Sequence, residues 1–405
     1  MSSERNTGDG GCWTIERGVA LQEHRGAIAT PAFVYDEAAI DRLLDHTDRL
    51  RAACSCRVLY SLKPFSFVDA LTRMAPRLDG FAVSSPFEAR LARQITCDRK
   101  SIHMTTPGIR REEVREIGSL CDFISFNSLH QWDMYHEELG RQVSCGLRVN
   151  PQLSFVDDDR YNPCRPHSKL GVPLEDLVEL APGRLPGLEG LLIHTNCEST
   201  QFSEIHSTVM RLHSQLGELL QEVKWINLGG GYLFDGSEDV PALYEAVEFL
   251  RSKYGLQVFF EPGAALIQSA GYIVSSVLDV FTSEGKRIAV LDTTVNHMPE
   301  VFEYGYEPDV VGHDDDAPYE YLLAGCTCLA GDIFGDYRFA EPLEVGGKVV
   351  FSNCGAYTLS KAHMFNGVNL PTVYAINQAG ELVFKKGFTY ADFAGKWGAD
   401  ASIAD

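Results

Sequence analysis

The sequence predicts an α/β fold: a (β/α)8 TIM-like barrel over residues 30–270, with a C-terminal mostly-β domain over 271–405. Three observations carry this. Eight short apolar runs alternate with helix-like stretches. A reactive or turn-forming residue follows nearly every run at the same end. After Gly271 the helical pattern stops and β-rich segments take over. Alternation alone does not show closure, so a doubly wound open sheet shares the pattern.

The chain has 405 residues, too many for one typical core, so two domains are expected. Residues 1–29 form an N-terminal segment whose polar, Gly-rich start has no apolar signal core. The expectation there is disorder, and for the protein a cytoplasmic location. No apolar run approaches the ~20 residues that span a bilayer. The formal net charge of −21 argues against nucleic acid, which needs a concentrated basic face. The 11 cysteines are scattered, and the pairs Cys54/Cys56 and Cys326/Cys328 lack the company of a zinc site, so no metal is expected.

Taken in order, Thr30–Tyr35 reads as an extended segment entering the first folded unit. Asp36 can cap the helix that follows, where Ile40, Leu43, Leu44 and Leu50 fall on one face. The eight runs are Val58–Leu62, Gly80–Val83, Ser101–Met104, Asp122–Phe126, Cys145–Val149, Leu191–Ile193, Trp225–Leu228 and Val258–Phe260. Helical patterns lie between them over Pro86–Ile95, Arg111–Leu120, Gln201–Leu220 and Pro241–Tyr254. Beyond Gly271, strands are expected at Ile273–Val280, Arg287–Leu291, Tyr321–Leu323, Lys348–Phe351, Val373–Ile376 and Leu382–Phe384. The acidic stretch Glu307–Pro318 reads as a loop.

A barrel places its chemistry after the strands. Lys63 ends the first run and Pro64 stops it, which puts an amine on the rim. Alone, such a lysine is an ordinary surface residue. His194 follows the sixth run, Gly229-Gly230-Gly231 the seventh and Glu261 the eighth. A lysine can form a Schiff base, three glycines let backbone N–H groups approach a phosphate, and an imidazole can stack on a ring. A carboxylate opposite a pyridine nitrogen keeps that nitrogen protonated. Together these residues match the requirements of pyridoxal 5′-phosphate.

The chain also resembles the alanine racemase-like fold type (fold type III) of pyridoxal-phosphate enzymes, and within it the decarboxylases of basic amino acids. It most resembles the carboxynorspermidine/carboxyspermidine decarboxylase branch. The matching stretches are TPAFVYDEAAI, LYSLKPF, SSPFEARLA, YNPCRPHSKLGV, HTNCES, INLGGGY, EPGAA, LDTTVNHMPEVFEY, CTCLAGDIFGDY and SNCGAYTLSKAHMFNGV, spanning roughly residues 30 to 370.

The resemblance implies that Lys63 carries the imine, that His194 stacks on the cofactor and that Glu261 pairs with its nitrogen. It implies that Gly229, Gly230, Gly231 and Tyr357 hold the phosphate, with Arg148 and Lys169 nearby. It further implies a homodimer with shared active sites. In it Cys328 would act in trans as proton donor and Asp332 would meet the distal amine of a small-molecule substrate. Neither a membrane nor nucleic acid is an expected partner. The implied reaction is decarboxylation of carboxynorspermidine or carboxyspermidine to norspermidine or spermidine. One departure is Ala264, where ornithine-type relatives carry a phosphate-contacting Arg. Diaminopimelate-, ornithine-, lysine-type or secondary-metabolite decarboxylation stays open, as does a non-catalytic cofactor-binding homologue that regulates a partner. A racemase fits less well, because it sets an Arg rather than Glu261 against the ring nitrogen.

Overall fold

A computed structural model describes residues 21, 24 and 26–399, except 98, 141, 181–182 and 234–238. The expectation of a disordered start therefore lies largely outside the described residues. The chain divides into two units: residues 41–266, and residues 1–40 joined with 267–405.

The first unit is a closed parallel barrel. Its strands are β2 (Arg57–Ser61), β3 (Gly80–Val83), β4 (Ser101–Thr105), β5 (Phe123–Phe126), β6 (Ser144–Asn150), β8 (Gly190–Ile193), β9 (Trp225–Asn227) and β10 (Gln257–Phe260). Each pairs with its neighbours in parallel, β10 returns to β2, and the β5–β6 pairing completes the ring. A short ninth strand, β7 (Val172–Pro173), is added beside β6. Closure excludes the open doubly wound sheet. Strands such as Gly80–Val83 and Gly190–Ile193 are buried at every position. That is why they read as unbroken apolar runs instead of alternating ones.

Aromatic side chains fill the barrel interior. Leu59, Ala82, Trp225 and Phe259 pack together, with Phe123 against them. Trp225 fits because its neighbours on β8 and β6 are glycines. A Cβ on Gly190 would lie 2.0 Å from the indole and one on Gly146 2.5 Å from it. The indole N–H donates to Ser144 Oγ at 2.9 Å, so no polar group is stranded. The His103 ring stacks on Phe123 at 4.1 Å.

Helices alternate with the strands. Helix α1 spans Glu37–Cys54, with Asp36 Oδ1 accepting the Ala39 N–H at 3.0 Å, as the sequence suggested. Next come α2 (Val68–Met74), α3 (Pro86–Thr96), α4 (Val114–Leu120) and α5 (Leu129–Leu139). Then follow α6 (Leu174–Val178), α7 (Ser203–Glu222) and α8 (Val240–Tyr254). Two strand-to-helix turns share one device. Before α3, Ser85 Oγ accepts the Glu88 N–H while Glu88 accepts from Ser84 N–H at 2.6 Å. Before α5, Ser128 caps Gln131 and Gln131 Oε1 accepts from Asn127 N–H.

The second unit is a sheet. Its path is β14 (Ile333–Phe339), β13 (Tyr319–Ala324), β12 (Lys286–Leu291), β11 (Gly271–Ser283), β1 (Ala32–Asp36), β16 (Thr372–Ile376) and β17 (Leu382–Lys386). Strand β15 (Lys348–Phe351) pairs with β11 off that path. Two short helices, α9 (Pro299–Tyr304) and α10 (Tyr390–Lys396), complete it. The expected boundary at residue 30 is displaced here. β1 pairs antiparallel with β11 and parallel with β16, so it is a central strand of the sheet unit and not the entrance to the barrel. Its five residues are all buried. An apolar run of that length suits either unit, and only its partners decide. No helix among the described residues is long and apolar enough to cross a membrane.

Candidate active site

Lys63 follows β2, as expected. The turn after it is held by Phe65 N–H donating to Leu62 C=O, and Ser61 N–H donates to Pro262 C=O at 3.0 Å. The Lys63 and Glu261 ends of adjacent strands are thus tied together. The side chain of Lys63 is open to solvent, yet barrel atoms crowd its amine. The crowding governs the charge. Burial pulls the amine below the usual lysine range, Glu261 opposes this, and Arg148 reinforces it. An amine held toward its neutral form is a nucleophile.

Glu261, after β10, is the opposing charge that weighs most on Lys63. Asn227, 1% exposed at the end of β9, donates from Nδ2 to its Oε1 at 2.6 Å. Burial raises the Glu261 carboxyl, and Asn227, Lys63 and Arg148 pull it back in that order. Arg148 on β6 is itself buried, and burial lowers its pKa. A carboxyl that interacts with Lys63 and Arg148 on the rim of one barrel suits a cofactor with a basic ring nitrogen.

His194, after β8, is held from behind. Its Nδ1 accepts the Gly230 N–H at 3.1 Å. That bond leaves the remaining ring proton on Nε2, and burial, Lys63 and Arg148 drive the pKa well below the usual histidine value. The ring is neutral, as a stacking partner for a cofactor should be. Cys164, from the YNPC stretch, packs its thiol on the His194 carbonyl at 3.6 Å. Asn127, after β5, fixes the Ser168–Gly171 segment by donating to Lys169 C=O at 2.7 Å and accepting from Gly171 N–H at 2.9 Å. The Lys169 side chain is exposed.

The triple glycine is used differently from the simplest expectation. Gly229 N–H donates to Asn227 Oδ1 at 2.9 Å and Gly230 N–H to His194 Nδ1. Of the three N–H groups, Gly231 alone has no partner among the described residues. The glycines are needed for close approach. A Cβ on Gly230 would lie 2.2 Å from the Glu261 carbonyl oxygen, and one on Gly231 2.0 Å from that of Asn196. Gly229 and Gly231 also take φ values of +68° and +90°. The turn thus locks His194 and Glu261 in place and offers one N–H to an anion. Behind it lies an apolar void of about 40 Å³, lined by Leu50, Val58, Leu243 and Phe260, which suits no phosphate.

The other predicted residues lie in the sheet unit. Tyr357 is half-buried in a left-handed backbone conformation, φ +54°. Cys328 is exposed on the loop between β13 and β14. Asp332, on the same loop, is 3% exposed. Its carboxylate accepts from Val295 N–H at 2.8 Å, Thr327 N–H at 3.0 Å and the Thr327 hydroxyl. In this chain the carboxylate is thus engaged by its own loop and by the segment after β12.

Asn227 and Asn366 are functional candidates that sequence reasoning did not single out. For Asn227 the signal was available: a polar residue ending a buried strand just before three glycines.

With the geometry in place, the comparisons are specific. A family model described as "Pyridoxal-dependent decarboxylase, C-terminal sheet domain" matches residues 32–355. The chain belongs to the pyridoxal-dependent decarboxylases. Among curated members of that family, it is 34% identical to a carboxyaminopropylagmatine decarboxylase from Synechocystis sp., covering 92% of this chain and 96% of that protein. It is 32% identical to a carboxynorspermidine/carboxyspermidine decarboxylase from Campylobacter jejuni, covering 91% and 98%. A solved carboxynorspermidine decarboxylase from Campylobacter jejuni, complexed with norspermidine, superposes with a TM-score of 0.83 at 31% identity, covering 91% of this chain and 100% of that one. Members of this decarboxylase family depend on pyridoxal phosphate. The barrel residues fit that group: a crowded amine, a neutral imidazole, a buried carboxyl with cations beside it, and a glycine turn with one open N–H.

Proposed function

We propose that this decarboxylase acts on a carboxy-polyamine, carboxynorspermidine or carboxyspermidine, releasing CO2 and norspermidine or spermidine. The observation that carries the reading is the likeness, over nearly the whole of both chains, to the Campylobacter jejuni enzyme complexed with norspermidine. A second reading is decarboxylation of carboxyaminopropylagmatine, supported by the relative that is 34% identical. The two substrates differ at the far end, ammonium against guanidinium.

Bound pyridoxal phosphate supplies the electron sink that takes the bonding pair as CO2 leaves. Lys63 would provide the amine that anchors it, Glu261 would hold a proton at the ring nitrogen, and His194 would support the ring face. Gly231 N–H and Tyr357 are the phosphate contacts we favour. Cys328 delivers a proton to Cα. Glu198 is the group we assign to the distal cation. It follows His194 by four residues, has a φ of +54° and is exposed, and it makes no hydrogen bond or ion pair among the described residues. Its side chain reaches solvent, yet the atoms crowding the carboxyl raise its pKa. A strained, unpaired carboxylate beside a catalytic strand end suits a cationic ligand.

The same reading includes a homodimer with shared sites and a cytoplasmic enzyme. In support, Phe302, Ile333 and Phe365, near or beside the Cys328 loop, are 58%, 40% and 41% exposed. Apolar side chains so placed suit a cover by a second copy.

Two experiments test these points. CO2 release is measured on carboxynorspermidine, carboxyspermidine, carboxyaminopropylagmatine, diaminopimelate, ornithine and lysine. A carboxy-polyamine should give the highest kcat/KM, and preference for diaminopimelate would overturn the assignment. Inactive Lys63→Ala and Cys328→Ala subunits should regain activity when mixed. No recovery, with subunit exchange shown, would rule out a shared site.

A further inference from the structure

We propose that Asp332 and Asn366 are positioning residues that clamp the Cys328 loop, aiming its thiol at the reacting carbon. The proposal rests on the reading of Cys328 as proton donor.

The loop runs from Gly325 to Asp332 between β13 and β14. Its polar groups converge on one buried carboxylate. Asp332 accepts from two backbone N–H groups and one hydroxyl. Its own backbone closes the loop: Gly325 N–H donates to Asp332 C=O at 2.8 Å, and Asp332 N–H donates to Leu329 C=O at 3.0 Å. A second anchor comes from Cys326, whose N–H donates to Thr293 C=O at 3.2 Å. Val295 and Thr293 belong to the segment after β12, so the carboxylate pins the loop to the neighbouring strand end. A buried carboxylate with three donors is satisfied by the protein and has no call for a substrate ammonium.

The thiol's own residue has a separate anchor. Cys328 N–H donates to Asn366 Oδ1 at 2.9 Å. Asn366 lies 38 residues away in the turn Phe365–Gly367, with φ +53°. Asn tolerates that conformation better than other side chains with a carbonyl. The arrangement also separates the two cysteines. Cys326 is half-buried, and burial with the charges of Asp332 and Asp292 raises its pKa. Cys328 is exposed on the outside of the clamped loop.

The chemistry requires a fixed donor. After CO2 leaves, a proton must reach Cα: the S–H bond breaks, a C–H bond forms, and solvent returns a proton to the thiolate. Were the proton to miss Cα, one water would be consumed in releasing the product, the amino nitrogen would stay behind, and the substrate would leave as an aldehyde. The ratio of amine to aldehyde therefore reports where the thiol points.

The test compares the wild-type holoenzyme with Cys328→Ala, Asn366→Gly, Asn366→Asp and Asp332→Asn. Asn366→Gly keeps the backbone conformation and removes the acceptor; Asn366→Asp restores an acceptor oxygen. Amine and aldehyde are quantified per CO2 released, and hydrogen–deuterium exchange is followed at the Cys328 amide. Asn366→Gly should raise the aldehyde fraction toward that of Cys328→Ala and speed amide exchange about fivefold, while Asn366→Asp recovers both. Asp332→Asn should shift the product ratio with KM unchanged. If Cys328→Ala changes the ratio and Asn366→Gly changes neither ratio nor exchange, the clamp is wrong and the donor reading stands. If Asp332→Asn raises KM alone, Asp332 returns to the substrate. An unchanged ratio in Cys328→Ala removes the donor, and the clamp with it.

Discussion

At the scale of single residues, the site turns on which polar atoms are already spoken for. His194 Nδ1 accepts from Gly230, Glu261 Oε1 from Asn227, and the Asp332 carboxylate from Thr327 and Val295. The places of Lys63, His194 and Glu261 after β2, β8 and β10 were legible because each is a chemically distinctive residue ending an apolar run. The orientation of Asp332 was not, since an Asp in a loop motif reads the same whether it faces inward or outward. Asn366 was invisible for a different reason: its partner Cys328 is 38 residues away, and side-chain anchors across that separation leave no periodic trace. Glu198 gives the prediction at this scale. If its carboxylate meets the distal cation, Glu198→Gln loses a charge-assisted hydrogen bond of about 1.5–3 kcal/mol. That corresponds to about a 10–150-fold rise in KM, with kcat within about threefold. A steady-state CO2 assay reads both parameters, and a fall in kcat alone would place Glu198 elsewhere.

At the scale of elements, strand ends and tight turns place the chemistry. All eight expected runs became barrel strands, because parallel strands buried on both faces leave a continuous apolar signature. The expected helices over Pro86–Ile95 and Pro241–Tyr254 match α3 and α8 within a residue, as both begin with proline in the first turn. The stretch Arg111–Leu120 splits into a 3₁₀ turn, Arg111–Glu113, and α4. The address of β1 was not legible, since pairing partners lie far away in sequence. The glycine turn carries the prediction here. Gly230→Ala would force a methyl group to 2.2 Å from the Glu261 carbonyl oxygen, and backbone cannot yield as a flexible side chain can. The expected cost is about 1–3 kcal/mol, from the usual penalty for overpacking. Because the turn also holds His194, cofactor affinity should fall about tenfold or more, by the conversion of 1.4 kcal/mol per factor of ten. Urea unfolding of the cofactor-free protein and a cofactor titration measure the two effects separately.

At the scale of the whole molecule, both units bury histidines that refuse protons. Burial lowers His103, in the barrel, to about 3 and His297, in the sheet unit, to about 4. The unfolded chain takes up these protons near pH 6.5 while the folded chain does not. Stability is therefore full above that pH and is lost as pH falls from 6.5 toward 4. Each histidine's contribution is lost at a rate that approaches about 1.4 kcal/mol per pH unit below pH 6.5 and is half that at pH 6.5 itself, so the two together cost about 2 kcal/mol between pH 6.5 and 5.5. Glu261, whose raised carboxyl binds a proton more readily in the folded state, works in the opposite direction. Denaturant midpoints at successive pH values should fall through this window, and His103→Phe should flatten the slope. The placement of β1 has a consequence during synthesis. The strand leaves the ribosome near the start of the chain, but its neighbours β11 and β16 begin at residues 271 and 372. At roughly 5–20 residues per second, β1 must wait about 10–50 s for its first partner to emerge. Its buried apolar face, Ala32–Tyr35, spends that interval as the segment a chaperone would hold.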